Sequence, residues 1–97
     1  MTESNRKARQ LRFTIAGAHC EVCGLPLIEY GTPQIAHRIA QTKTNLSKYG
    51  SFFVEHHLNY RAVCSLRCND ACNIGNNPGE VLKLLADIII YESKHFN

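Results

Sequence analysis

The sequence predicts a small α+β domain that a bound metal ion stabilises, and three observations support this class. The chain has 97 residues, enough for one domain with a modest hydrophobic core. Two close cysteine pairs, Cys20/Cys23 (the first pair) and Cys64/Cys68 (the second pair), are well separated along it. The apolar segments near these pairs are short, whereas the C-terminal part shows a longer pattern at helical spacing.

The N-terminal segment, residues 1–17, is basic. Such a segment is either a solvated tail or an arm that contacts the phosphates of a nucleic acid. Within it, Leu11–Ile15 alternates weakly between apolar and polar residues, which predicts a short strand leading to the first cysteine pair. The positive side chains of the segment are Arg6, Lys7, Arg9 and Arg12.

Two largely apolar segments separated by a turn predict a β-hairpin. Leu25–Tyr30 ends at Gly31-Thr32-Pro33, which is a strong turn signal. Gln34–Ala40 then reads as a second strand, with His37 on the same face as two isoleucines. The predicted hairpin therefore presents His37.

The remaining chain predicts an exposed loop and two helices. Gln41–Ser51 is polar and is expected to be the loop. Leu66–Ile74 predicts a short helix with Ser65 as its N-cap. Asn77 caps a second helix that begins with Pro78. The apolar stripe of this C-terminal helix predicts core packing and contains Val81, Leu82, Leu84, Leu85, Ile88 and Ile89.

The cellular compartment decides how the cysteines are interpreted. The first ten residues are polar and lack the apolar part of a secretory signal, and no apolar run approaches the length of a membrane span. We therefore expect a cytoplasmic protein without membrane contact, in which clustered cysteines bind metal or carry out redox chemistry. The odd number of cysteines, five, also argues against a complete disulfide framework.

The two cysteine pairs fit a structural zinc site. Tetrahedral Zn²⁺ is often held by two short turns that each contribute two thiolates. Gly24 directly follows the first pair and suits such a turn, because glycine tolerates a positive φ. The longer spacing of the second pair suits the start of a helix. Two alternatives are buried free thiols and a mixed site in which Cys72 or a histidine replaces one ligand; we interpret Cys72 as a buried spare.

The order of these motifs resembles the HNH (His-Me finger) endonuclease family. The first cysteine pair is followed by Ala36-His37-Arg38-Ile39, then Asn59, then the second pair with Asn69 directly after it. The resemblance covers Cys20 to roughly Asn73. It implies a zinc-stabilised ββα-metal domain over residues 18–76, in which a β-hairpin and a helix surround one divalent cation. The C-terminal amphipathic helix, residues 77–97, would pack on this domain.

The resemblance also implies a role for each site residue. His37 would be the general base for phosphodiester hydrolysis, because imidazole titrates near neutral pH. Asn59 would orient the histidine-bearing loop through backbone hydrogen bonds. Asn69 would ligate a catalytic Mg²⁺ or Mn²⁺, which prefer oxygen donors. The basic residues expected to attract DNA are Arg38, Lys43, Lys48 and Arg67.

One residue departs from the family pattern. The position before the base is typically Asp, Glu or His and ligates the metal, but here it is Ala36. Either Glu55, His56 or His57 fills in, or the metal binds weakly, or catalysis has been lost. His37, Asn59 and Asn69 also have structural alternatives, as a core histidine, a turn residue and a helix-start residue. Three functions therefore stay open: a metal-dependent DNA endonuclease, a non-catalytic zinc module that binds nucleic acid or a protein, and, ranked last, a purely structural zinc ribbon. The oligomeric state stays open between a monomer and a homodimer.

Overall fold

The computed structural model describes residues 3–27 and 33–95. Within these ranges the chain forms five α-helices, one 3-10 turn and a two-stranded antiparallel sheet, which confirms the α+β class. None of the described helices combines the length and the apolar character needed to cross a membrane. The elements are α1 (Glu3–Ala16), β1 (Gln34–His37), α2 (Lys43–Tyr49), α3 (Ser51–Val54), the 3-10 turn His57–Asn59, β2 (Tyr60–Val63), α4 (Leu66–Cys72) and α5 (Pro78–His95).

The sheet pairs β1 with β2, and the first strand expected for the hairpin, Leu25–Tyr30, is described only over residues 25–27. The register places Gln34 opposite Val63 and His37 opposite Tyr60. The segment at 25–27 does not pair with β1, because its backbone closes the turn of the first cysteine pair instead. Residues 28–32, which include the predicted turn, lie outside the described residues. The two strands are therefore joined by the long connection 38–59, and α4 follows β2 directly.

The N-terminal segment is helix α1, so the predicted strand over Leu11–Ile15 and the solvated tail are both wrong. Ala8, Arg12 and Ala16 recur every fourth residue, which is the spacing of one helix face. Ala8 and Ala16 pack against the core beside the sheet, and Arg12 is only 8% exposed. The five-residue alternation is too short to distinguish a strand from part of a helix.

The segment Gln41–Ser51 is helical over most of its length, so the predicted loop is also wrong. Thr42 caps α2, because its Oγ1 accepts the N–H of Asn45 at 3.1 Å. No side chain of α2 is fully buried. A short helix that lies on the surface needs no wide apolar stripe, and its polar composition therefore looks like that of a loop.

The two helices predicted after β2 are confirmed, including their caps. Ser65 precedes α4, and its Oγ accepts the N–H of Cys68 at 3.3 Å. Asn77 precedes α5, and its Oδ1 accepts the N–H of Glu80 at 3.1 Å. These local signals depend on residues three positions apart, which the sequence alone can show.

The buried side chains form two clusters on different parts of the fold. One lies between the sheet, α1 and α4, and the other lies beneath α5 and includes Ile39 from the connection between the strands. Leu82 is 66% exposed and Ile89 is 56% exposed, so the apolar stripe of α5 is wider than the face it buries. The side chains that α5 does bury are Val81, Leu84 and Ile88.

Candidate functional site

The first cysteine pair lies in a tight turn closed by backbone hydrogen bonds. The Gly24 N–H donates to the carbonyl of Cys20 at 2.9 Å, and the Cys20 N–H donates to the carbonyl of Leu25 at 2.8 Å. Gly24 has a φ of 79°, a left-handed conformation that strongly favours glycine. This geometry agrees with the turn predicted after the pair.

Glu21 joins this turn to β2 and to α1. Its N–H donates to the carbonyl of Ala62 at 2.9 Å, and its Oε2 accepts the N–H of Ala62 at 2.7 Å. The same carboxylate accepts the Arg12 Nε at 2.9 Å and a second hydrogen bond from the guanidinium. This largely buried two-point ion pair holds α1 against the turn, and Glu21 places the turn beside the end of β2, where Cys64 follows.

The four cysteine sulfurs converge on one point. Within the described part of the chain, Cys20, Cys23, Cys64 and Cys68 are the one group of metal-ligating side chains whose ligand atoms all lie within 4.8 Å of one another. The Cys64 Sγ lies 3.5 Å from the Cys23 Sγ and 3.9 Å from the Cys68 Sγ. Tetrahedral zinc with Zn–S bonds of about 2.3 Å requires sulfurs about 3.8 Å apart. The cluster therefore fits a structural metal such as zinc, and the buried Cys72 lies outside it.

The hydrogen bonds around the sulfurs favour a thiolate at one position. Burial raises the pKa of Cys20, but backbone N–H groups of Cys23, Val22 and Cys64 outweigh it and lower the pKa to about 6. A side-chain hydrogen bond with Cys23, together with burial, raises the pKa of Cys64 to about 12. A thiolate at Cys20 thus disfavours a second thiolate in this cluster, and a bound divalent cation would offset the repulsion between them.

His37, at the end of β1, faces α1. Its ring lies edge-on to the ring of Tyr60, with the centroids 4.7 Å apart. The Tyr60 hydroxyl donates to the Oδ1 of Asn5 on α1 at 2.7 Å. Because side chains alternate along a strand, Gln34 and Ala36 lie on the other face of β1.

That other face lies against α4. The Asn69 Nδ2 donates to the Oε1 of Gln34 at 3.2 Å, and Ala36 is a fully buried member of the core. The structure therefore places His37 and Asn69 on opposite faces of β1 and does not bring them together. At Ala36, where the resemblance implies a metal ligand, the structure has a methyl group packed in the core.

Asn59 is fully buried and fixes the backbone that follows β1. Its Oδ1 accepts the N–H of Ile39 at 2.7 Å, and its Nδ2 donates to the carbonyls of Ile39 at 3.1 Å and Val54 at 2.7 Å. The Arg38 N–H donates to the Asn59 carbonyl at 2.8 Å. These bonds hold the backbone of the two residues after His37 in place.

The four residues predicted to attract DNA lie on three parts of the fold. The Arg38 guanidinium, just after β1, lies 3.6 Å from the carboxylate of Glu80, which reduces the charge it offers to a phosphate. Lys43 and Lys48 are exposed on α2, and Arg67 is exposed on α4.

A second group of polar side chains, which we name the histidine cleft, lies between α1, the segment 51–57 and α5. The cleft has a volume of about 430 Å³. The His56 Nδ1 accepts the N–H of Leu58 at 3.1 Å, so its Nε2 carries the hydrogen and donates to the Glu92 Oε1 at 2.6 Å. The lining includes Ser51, Phe52, Glu55, His56, His57 and Glu92. Since Glu92 lies 36 residues beyond His56, no local motif predicts this pairing.

His57, like its neighbour His56, is buried in this cleft. It is 6% exposed, and neither of its ring nitrogens has a hydrogen-bond partner in the described part of the chain. Its ring stacks on that of His56 at 4.6 Å and meets the ring of Tyr91 edge-on at 4.7 Å. Within the described residues, the cleft does not bring three metal-ligating atoms together.

We expect His57 to make the folded state sensitive to acid. Burial, aided by the neighbouring charges of His56 and Arg12, lowers its pKa from 6.5 to about 4, despite the opposing carboxylate of Glu92. Between these values the unfolded chain binds the proton more readily, so the contribution to stability is complete above pH 6.5 and is lost as the pH falls toward 4. Urea denaturation at about pH 7.5 and about pH 4.5 should show a larger loss of stability for the wild type than for His57→Phe. Protonation of the cysteines affects both proteins alike, so equal losses would contradict this prediction.

Comparison with known proteins gives no independent identification of this chain. It finds no match among protein-family models, curated proteins or solved structures.

Proposed function

We propose that this protein is a zinc-stabilised endonuclease of the His-Me finger type, which hydrolyses phosphodiester bonds in DNA with His37 as its general base. The supporting observation is the set of three hydrogen bonds by which Asn59 fixes the backbone after His37. The chain order also agrees, since β1 ends at His37 and β2 leads into α4 through the second cysteine pair. This is the order of strand, strand and helix that the resemblance implies.

The zinc ion in this proposal stabilises the fold and takes no part in the chemistry. Four thiolates complete a tetrahedral coordination sphere and leave no position for water or substrate. The ion would join the turn of the first pair to the end of β2 and the first turn of α4. Its role is therefore to hold β2 and α4 in place beside β1.

His37 is suited to accept a proton from an attacking water. Its Nε2 is buried and has no hydrogen-bond partner among the described residues. Burial, together with the positive charge of Arg9, lowers the pKa of His37 below 6.5, so the neutral, basic form predominates at neutral pH. A base in this state can take the proton that water loses as its oxygen attacks phosphorus.

Ala36 and Asn69, the two positions where the HNH family places ligands of its catalytic cation, do not fit that ion here. Ala36 offers no ligand, and the amide of Asn69 is bonded to Gln34. A Mg²⁺ or Mn²⁺ ion would stabilise charge on the phosphate, but these two residues offer it little coordination.

Plasmid nicking tests the nuclease proposal. Zinc-loaded protein with Mg²⁺ or Mn²⁺ should nick supercoiled DNA, and His37→Ala should lower the rate by about 100-fold or more, because a general base contributes about that factor. The variant should retain its zinc and its circular dichroism spectrum. His95→Ala, which changes an exposed histidine at the end of α5, is the matched control and should cleave normally. Absence of nicking by the wild type with both metals would reject the proposal.

The full burial of Ala36 favours a second candidate, a non-catalytic zinc module that binds nucleic acid. This function predicts that the wild type retards DNA in a gel without cleaving it. It also predicts that His37→Ala binds with unchanged affinity. The nicking and retardation assays together therefore separate the two candidates.

A further inference from the structure

The histidine cleft contains a polar side chain that neither the fold nor the proposed hydrolysis uses. Both ring nitrogens of His57 are buried without a partner among the described residues, although the ring itself is packed between those of His56 and Tyr91. Buried polar atoms are almost always hydrogen-bonded, because losing water without a replacement destabilises the fold. A neutral imidazole lining a cleft offers one donor and one acceptor to a ligand.

An exposed aromatic ring lies at the same cleft. Phe52 is 54% exposed, and the ring contacts it makes with described residues are edge-on, with Phe53 at 5.0 Å and His56 at 5.9 Å. An accessible ring beside polar groups is the usual platform on which single-stranded nucleic acids stack their bases.

The charges of the cleft disfavour an anion and favour a hydrogen-bond donor. Glu55 and Glu92 both line it, and its described lining residues include no lysine or arginine. One oxygen of Glu55 accepts the amide of Gln41 at 3.2 Å, and one oxygen of Glu92 is bonded to His56. Each carboxylate therefore has a second oxygen that could accept from a ligand. A phosphate in the cleft would meet these negative charges without a lysine or arginine beside it, since Arg12 and Arg61, whose charges reach His57, do not line the cleft.

We propose that the histidine cleft binds a nucleobase, which stacks on Phe52, donates N–H groups to Glu55 and bonds to His57. Its volume of about 430 Å³ lies in the usual range for ligand sites. Bases with an exocyclic amino group, such as cytosine and adenine, supply the donor that a carboxylate accepts, whereas thymine lacks it. A base reaches such a cleft from a single strand or after leaving the duplex stack.

The cleft and the proposed base of the reaction are both linked to α1. Ala8 of α1 lines the cleft, and Asn5, on the preceding turn of α1, bonds to the tyrosine that contacts His37. A nucleotide of the substrate could therefore place its base here. This placement rests on the proposed nuclease function, whereas base binding itself can be measured without cleavage.

The test is an NMR titration of the zinc-loaded, ¹⁵N-labelled full chain with cytidine, adenosine, thymidine and ribose 5-phosphate. Cytidine and adenosine should shift the signals of Phe52 and His57, thymidine should bind more weakly, and ribose 5-phosphate should leave these signals unchanged. Phe52→Ala should weaken cytidine binding about tenfold, the usual loss for one stacking partner. Leu66→Ala, which removes a side chain that is 65% exposed on α4, is the control and should bind normally.

The outcomes separate this proposal from the nuclease proposal. Shifts confined to the cleft and reduced by Phe52→Ala would support nucleobase binding, even if the protein cleaved no DNA. Nicking that depends on His37, without nucleoside-induced shifts at the cleft, would overturn the proposal of nucleobase binding and leave the nuclease proposal standing. Equal shifts with ribose 5-phosphate would also overturn the proposal of nucleobase binding. Because Phe52 is exposed, its variant should fold even where a substitution of the buried His57 does not.

Discussion

Removal of the metal is expected to abolish cooperative folding of this domain. The four sulfurs come from a turn near α1, the end of β2 and the first turn of α4, so an ion bound by them would join three parts of a small chain. Structural zinc contributes an apparent 10–16 kcal/mol, by order of magnitude, in zinc-finger peptides, whereas a whole domain is stable by about 5–15 kcal/mol. The purified protein should contain one zinc per chain by atomic emission. A strong chelator should remove its thermal transition in circular dichroism.

Two cysteine variants make this prediction specific. Cys64→Ser removes a ligand and should reproduce the loss seen with the chelator. Cys72→Ala changes a buried cysteine outside the four-sulfur group and should keep one zinc with a loss of about 1 kcal/mol. A metal-free protein with an unchanged thermal transition would show that the ion is not structural.

Substitution of Asn59 is expected to have the second-largest effect. Asn59→Ala should lower the free energy of unfolding by about 3–5 kcal/mol, because three buried backbone groups lose their partners and each costs about 1–3 kcal/mol. These groups are the N–H and the carbonyl of Ile39 and the carbonyl of Val54. Urea denaturation measures the loss directly, and the variant should also lose nuclease activity, since the backbone after His37 is released.

Asn45→Ala is the matched control for this experiment. Asn45 lies in the same connection between the strands, is partly buried and makes one side-chain donation, to the carbonyl of Ala40 at 2.8 Å. Its loss should be about 1 kcal/mol. If the two variants were equally stable, the buried hydrogen bonds of the Asn59 side chain would not stabilise the fold as predicted.

The features that could be predicted from the sequence depend on residues close together in the chain. The caps of α4 and α5 and the cysteine turn with Gly24 are of this kind. The partner of β1 could not be identified in the same way, because β2 follows only after the connection 38–59 and pairing energy carries no local signal. The simplest expectation pairs the two apolar segments that are adjacent in the chain. Residues 25–27 of the first segment instead close the cysteine turn.

Helix α1 and the histidine cleft were missed for a related reason. The inner face of α1 carries Asn5 and Arg12, whose partners Tyr60 and Glu21 are distant in sequence, so its buried face does not read as apolar. The cleft likewise depends on α5 reaching the segment 51–57. Polar burial of this kind becomes visible only when tertiary contacts bring the partner into range.

The carboxylate of Glu21 is a junction between three parts of the molecule. It receives an N–H from β2 and the guanidinium of Arg12 from α1, and it stands directly after Cys20 in the metal turn. Docking of the N-terminal helix and binding of an ion by the four sulfurs would therefore be thermodynamically linked. By the reciprocity of such linkage, the factor by which the docked helix raises the affinity for the ion would equal the factor by which the bound ion favours docking of the helix.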